Sequence, residues 1–196
     1  MAGFRWEYLP RSFSGLLYPK ETLKAIAELA CDYDFFVLAD EIYEKIIYEG
    51  EHTSIGSFEG MQERTITVNG FSKAYAMTGW RLGYVAAPEW IIKGMLKLQS
   101  HSVSHPTSFV QWAGLAALKG KQDEVERMRA QFEQRRDVLL DGLLDLGIEC
   151  PKPEGAFYVF ANVEKWGTGD DVAERLLKKA YVGITPGGAF GSAYQN

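Results

Sequence analysis

The chain has 196 residues, a formal net charge of -5 and a pI near 5.3, which argues against a polyanion as its main partner. Its 46% hydrophobic and 24% charged residues are ordinary for a folded globular chain with a core of its own. Two cysteines, Cys31 and Cys150, make no disulfide framework, and a reducing cytoplasm is the expected setting. No apolar run approaches the length of a membrane span, and Arg5, Glu7 and Arg11 interrupt any signal-peptide reading of the first residues. The three histidines, His52, His101 and His105, show no metal-ligand spacing with cysteine or a carboxylate pair, so no metal site is expected.

Residues 1–15 show no clear period. From Pro19 the pattern is helical, with Leu23, Ile26, Ala27 and Ala30 at i, i+3, i+4, i+7. The continuous apolar run 35–39 predicts a central strand buried on both faces, as in a parallel sheet, and it ends in Asp40-Glu41. Further strands are expected at 65–68 and 82–87. A helical stretch follows Pro88, is broken at Pro106, and resumes over 109–118. A second long helix is expected over 122–146, with Gly147 as its C′ residue. Then come a strand at 156–160, a helix at about 170–180 and a short strand at 182–185. Strands interleaved with helices indicate an α/β layered domain, and the last part reads as a compact α+β unit.

Asp40 lies where a strand ends, at the edge where open α/β sheets bind ligands, and a buried carboxylate there needs a cationic or protonated partner. Taken alone, a helix cap or a loop salt bridge is the plainer reading of this aspartate. Tyr43 taken alone is a half-buried aromatic whose hydroxyl needs some partner. Lys73, in Asn69-Gly70-Phe71-Ser72-Lys73 after the second strand, could be a solvated loop residue. Arg81, eight residues on and directly before an apolar strand, needs an anion, and a phosphate suits its planar fork.

The stretch from Ser72-Lys73 through Thr78-Gly79-Trp80-Arg81 to Gly83-Tyr84 resembles the lysine motif of the class I/II aminotransferases, the aspartate aminotransferase family of fold-type I enzymes that use pyridoxal 5'-phosphate (PLP). Asp40-Glu41-Ile42-Tyr43 resembles that family's upstream D-x-x-Y element. The segment 100–111, the strand-like Gly155 to Phe160 and the loop Thr185 to Gly191 resemble later parts of the family, so the similarity runs from about Gly15 to Asn196. The resemblance implies that Lys73 holds PLP as a Schiff base and later moves the substrate proton. It implies that Asp40 pairs with the pyridine nitrogen, that Tyr43 bonds the phenolic oxygen, and that Ser72 and Arg81 hold the phosphate. The implied reaction is amino-group transfer between an amino acid and a 2-oxo acid in a homodimer, with no nucleic-acid or membrane partner. Carbon–sulfur lyases and cyclising synthases share these motifs, and some transcription regulators carry an aminotransferase-like effector domain, so both remain alternatives.

The implied fold is α/β: part of a three-layer PLP-transferase large domain (15–100), an interdomain helix (101–119) and a small α+β domain (120–196). The chain is expected to be cut at both ends. Family members run to about twice its length, the N-P-T-G element is replaced by Ser12-Phe13-Ser14-Gly15, and the arginine that clamps the substrate carboxylate is not encoded. Residues 1–14 read as a lead-in foreign to the family, and the polypeptide alone is expected to be an incompetent transaminase.

Overall fold

The structure, a computed structural model, describes the backbone of residues 6–10 and residues 14–194. Four strands form one mixed sheet in the order β1 (Trp6–Pro10), β2 (Phe36–Asp40), β3 (Thr65–Gly70), β4 (Gly83–Ala86). β1, β2 and β3 run parallel, with Pro10 opposite Asp40 and Asp40 opposite Val68. β4 runs antiparallel to β3, with Gly70 opposite Gly83. The run 35–39 is therefore a central strand, as expected. Its burial is one-sided, however: Val37 and Ala39 are buried, whereas Phe36 and Leu38 on the other face are half-buried.

Helix α1 (Lys20–Asp32) covers the buried face. Leu23, Ala27 and Ala30 pack with Val37, Ala39, Ile55 and Met61, and Ile26 and Phe58 close the cluster's margin. Burying Leu23 alone contributes roughly 1.5–3 kcal/mol. Two helices follow the sheet, α2 (Glu89–Ser102) and α3 (Ser108–Lys119), separated by the expected break at Pro106.

Helix α4 (Asp123–Asp145) matches the long helix expected. Gly147, at φ +68°, donates to the Leu144 carbonyl, and Ile148 donates to the Leu143 carbonyl, so the helix ends in a Schellman motif. One side chain of α4 is buried, and it is Arg136. Its Nη1 donates to the Pro153 carbonyl at 2.8 Å, its Nε to Asp137 at 2.8 Å, and its guanidinium lies 4.8 Å from the centre of the Tyr48 ring. The charge thus helps to fasten the helix to the body of the protein.

Helix α5 (Gly169–Ala180) starts in a capping box in which Thr168 and Asp171 satisfy each other's backbone N–H. The hydrogen bonds from Thr168 hold the Asp171 carboxyl below its ordinary range. A depressed folded value means that this contribution is present at neutral pH and is lost as pH falls through that depressed value. Thr168→Ala is expected to cost about 1 kcal/mol in urea denaturation at pH 7 and distinctly less once Asp171 is protonated; equal costs at both pH values would contradict the box.

Three sequence expectations are corrected. Trp6–Pro10, read as patternless, is a strand, because an extended segment beside β2 can satisfy its backbone in the ladder whatever its side chains. The strands expected at 156–160 and 182–185 are not formed. Gly155 makes only an isolated bridge to Ile47, and Ala156 turns into the left-handed region at φ +57°. The segments 157–161 and 183–187 line a cavity of about 970 Å³ rather than pairing with each other. Short stretches rich in aromatic and β-branched residues suggested strands there, but a strand also needs a partner within hydrogen-bonding distance.

Candidate functional site

Three strands deliver their ends to one edge of the sheet. Asp40 is the last residue of β2, and the chain leaves β3 at Gly70 and returns through β4 at Gly83. The connection 71–82 is closed at its base, where the Phe71 N–H donates to the Leu82 carbonyl at 3.2 Å. Ser72 and Arg81 follow one residue further on each side, so both lie near the base of this connection. Lys73 is the next residue after Ser72. All lie at the carboxyl ends of the parallel strands, where α/β sheets carry their sites.

Tyr43 is buried at 6% exposure and packs with Ile46 and Ala156. The Lys73 Nζ lies 5.8 Å from the centre of the Tyr43 ring and 5.5 Å from that of Phe157. Tyr43 and Phe157 meet edge to face at 5.2 Å, so the amine sits against two aromatic faces. The Tyr43 hydroxyl lies 2.9 Å from that of Tyr158. Burial first, with the charge of Asp40 adding to it, pushes the Tyr43 phenol well above its ordinary value. It is therefore a proton donor throughout the neutral range. Asp40 bends back on its own turn, with the Ile42 N–H donating to Oδ1 at 3.3 Å.

Arg81 adopts φ +53°, a left-handed conformation unusual for a bulky residue and characteristic of constrained sites. Its Nη1 donates to the Thr78 carbonyl at 3.0 Å, which fixes the direction of the guanidinium and leaves N–H donors over for an anion. Arg81 is exposed, whereas Ser72 and Lys73 are half-buried.

The aromatic wall comes from the far end of the sequence, and it is tied down within a few residues of Tyr158. The Gly15 carbonyl accepts from the N–H groups of Glu154 and Gly155 at 2.9 Å each, and the Leu17 N–H donates to the Glu154 carboxylate at 2.8 Å. The Ala156 N–H donates to the Ile46 carbonyl at 2.9 Å, and the Tyr48 hydroxyl donates to the Ala156 carbonyl. Burial drives the Tyr48 phenol up to about 12, although Arg136 pulls the other way. With its folded value raised, Tyr48 contributes stability that is complete below pH 10 and is lost as pH rises through about 12. Thermal unfolding between pH 9.5 and 11.5 should show this loss, and Tyr48→Phe should flatten it; an unchanged slope would count against the buried hydroxyl.

Sequence reasoning gave no sign of one further cluster. Glu41, Glu44 and His52 bring their side-chain ligand atoms within 4.8 Å of one another, against the expectation that no histidine keeps such company. His52 Nε2 lies 2.9 Å from Glu41 Oε2, and this hydrogen bond satisfies a carboxylate that is only 7% exposed. Only the fold could reveal it, since the loop 42–51 separates the two residues.

The family model for class I and II aminotransferases matches residues 10–195. The chain belongs to this family. An aspartate aminotransferase of Pyrococcus abyssi is 44% identical over 188 residues, covering 94% of this chain and 48% of the relative. An aromatic-amino-acid aminotransferase of Thermococcus litoralis is 42% identical with the same coverage. Among solved structures, the aromatic aminotransferase of Pyrococcus horikoshii superposes with a TM-score of 0.93 at 43% identity, over 97% of this chain and 52% of its own. The aminotransferase match thus begins before Gly15, taking in the end of β1, and the chain spans about half the length of the curated relatives it matches.

Proposed function

We propose that this chain carries the lysine-bearing half of a PLP-dependent aminotransferase, which moves an amino group between an amino acid and a 2-oxo acid. The observation that carries the reading is the position of the Lys73 amine, lying over the Tyr43 and Phe157 rings at the strand-end edge that also bears Asp40. The donor set suits the cofactor group by group. It offers an amine for the aldehyde, a carboxylate for the ring nitrogen, a protonated phenol for the phenolic oxygen, and a guanidinium with a hydroxyl for the phosphate.

When bound, PLP supplies the electron sink that protein side chains lack. The chain's own residues do the rest. Lys73 would hold the cofactor through Nζ, and its amine would serve as the base that moves the proton at the substrate Cα. Asp40 would keep a proton on the ring nitrogen, Tyr43 would donate to the phenolic oxygen, and Ser72 and Arg81 would anchor the phosphate. The family supports a homodimer as the working form, and two free cysteines are compatible with the cytoplasm. Relatives named for aspartate and for aromatic amino acids lie at nearly equal identity, so the substrate proposed is an amino acid of unspecified side chain.

The test is chemical trapping. The chain incubated with PLP and reduced with borohydride should carry its pyridoxyl group chiefly on Lys73 in peptide mapping. Labelling spread evenly over the exposed lysines would overturn the assignment.

A further inference from the structure

The hydroxyl of Tyr158 reaches Tyr43 from 115 residues away, at 2.9 Å, with the two rings edge to face at 5.8 Å. Tyr158 is the one hydrogen-bond partner of the Tyr43 hydroxyl among the described residues. Either oxygen of such a pair can donate, and this freedom has a chemical consequence. A phenol has one proton to give and lone pairs to accept with. If Tyr43 gave its proton to Tyr158, it would have none for a cofactor oxygen.

We propose that Tyr158 is a positioning residue for Tyr43, donating to the Tyr43 oxygen so that the Tyr43 proton is committed to the phenolic oxygen of the cofactor. This rests on the PLP reading of the site given above. Three features support it. Tyr43 is buried and held by packing, whereas Tyr158 is 39% exposed, so Tyr158 is the partner whose hydroxyl is freer to choose its role. The backbone that delivers Tyr158 is fixed at Gly155 and Ala156 by the Gly15 and Ile46 carbonyls and by the Tyr48 hydroxyl. Phe157, the residue between, packs on Phe132 at 5.1 Å and on Tyr43, which prevents the segment from turning away. A phenol that receives a hydrogen bond is also the stronger donor, because chains of such bonds polarise one another.

The experiment is a double-mutant cycle on PLP binding, read as the fraction of Lys73 trapped by borohydride across PLP concentrations. Tyr158→Phe should weaken binding about two- to twelvefold, the range expected for one hydrogen bond. In a Tyr43→Phe background the same change should have little further effect. The pH midpoint of the bound cofactor's absorbance change should also move upward in Tyr158→Phe. It should not move in Tyr75→Phe, whose hydroxyl instead bonds Gln122. A role confined to packing would leave that midpoint in place. Wild-type chain without preferential Lys73 labelling would overturn the site reading and this inference together. Normal wild-type labelling, with Tyr158→Phe either silent or fully additive with Tyr43→Phe, would overturn the inference alone.

Discussion

Replacing Lys73 by alanine should reduce borohydride-trapped PLP to the background level of surface lysines while leaving the fold intact. Lys73 is half-buried, and its interactions with the Tyr43 and Phe157 rings are worth about 0.5–1 kcal/mol, so the stability change should stay below roughly 1 kcal/mol. In an assembly competent for turnover, loss of the proton-transfer role alone removes about 10²–10⁴-fold of the rate, and loss of the covalent attachment adds to it. Urea denaturation and peptide mapping on one preparation separate the two effects. A Lys73→Ala chain that retained specific labelling at another lysine would remove Lys73 from the mechanism.

The second large effect is expected far from the chemistry. Gly15 sits at φ +70°, and a Cβ built there would lie 2.6 Å from the Pro153 Cβ and 3.1 Å from the Tyr158 carbonyl oxygen. Alanine at this position combines an unfavourable left-handed conformation, about 1–2 kcal/mol, with overpacking against a fully buried proline, about 1–3 kcal/mol. A total loss of about 2–5 kcal/mol is a large share of the 5–15 kcal/mol typical of a domain. Gly142 in α4 supplies the contrast, since nothing lies within 4 Å of its added Cβ and its φ is ordinary. Gly142→Ala should stabilise the chain by about 0.5–1 kcal/mol through helix propensity. Equal effects of the two substitutions on the urea midpoint would refute the role given to Gly15. Because the Gly15 carbonyl also binds Glu154 and Gly155, the loss should loosen the segment carrying Phe157 and Tyr158, and PLP retention should fall with it.

The parts of the fold legible in the sequence were those with a local cause. The periodicity of Leu23, Ala27 and Ala30 marks α1, and the run that ends at Asp40 marks β2. Gly147 marks the end of α4. The strand Trp6–Pro10 had no such mark, because Leu9 and Pro10 break the alternation after only three residues and its pairing with β2 is non-local. The opposite error at 156–160 has the same root, since β-propensity measures fit to a neighbouring strand rather than a property of the segment itself.

The site divides in the same way. Lys73, Ser72 and Arg81 sit on one short connection and could be read as a motif, and Asp40 and Tyr43 as another. That Tyr43 meets Tyr158, that Arg136 is the buried residue of its helix, and that His52 answers Glu41 depend on contacts 115, 17 and 11 residues apart in the chain. No residue type near any of them announces its partner. The left-handed Arg81 is another such case, as the sequence offers no glycine or asparagine to signal a positive φ there.

The base of the 71–82 connection is where Gly70 faces Gly83, so closely that a Cβ on Gly70 would lie 3.1 Å from the Gly83 Cα. Because the strands are clamped there, twelve residues must span from one strand end to the other with both ends fixed. A change of letter within the loop alters one contact, whereas a change of count shifts the amine relative to the guanidinium or slips the ladder by a residue and inverts its faces. In the drift of such a gene, the number of codons between these two glycines should resist change more strongly than most of the codons themselves.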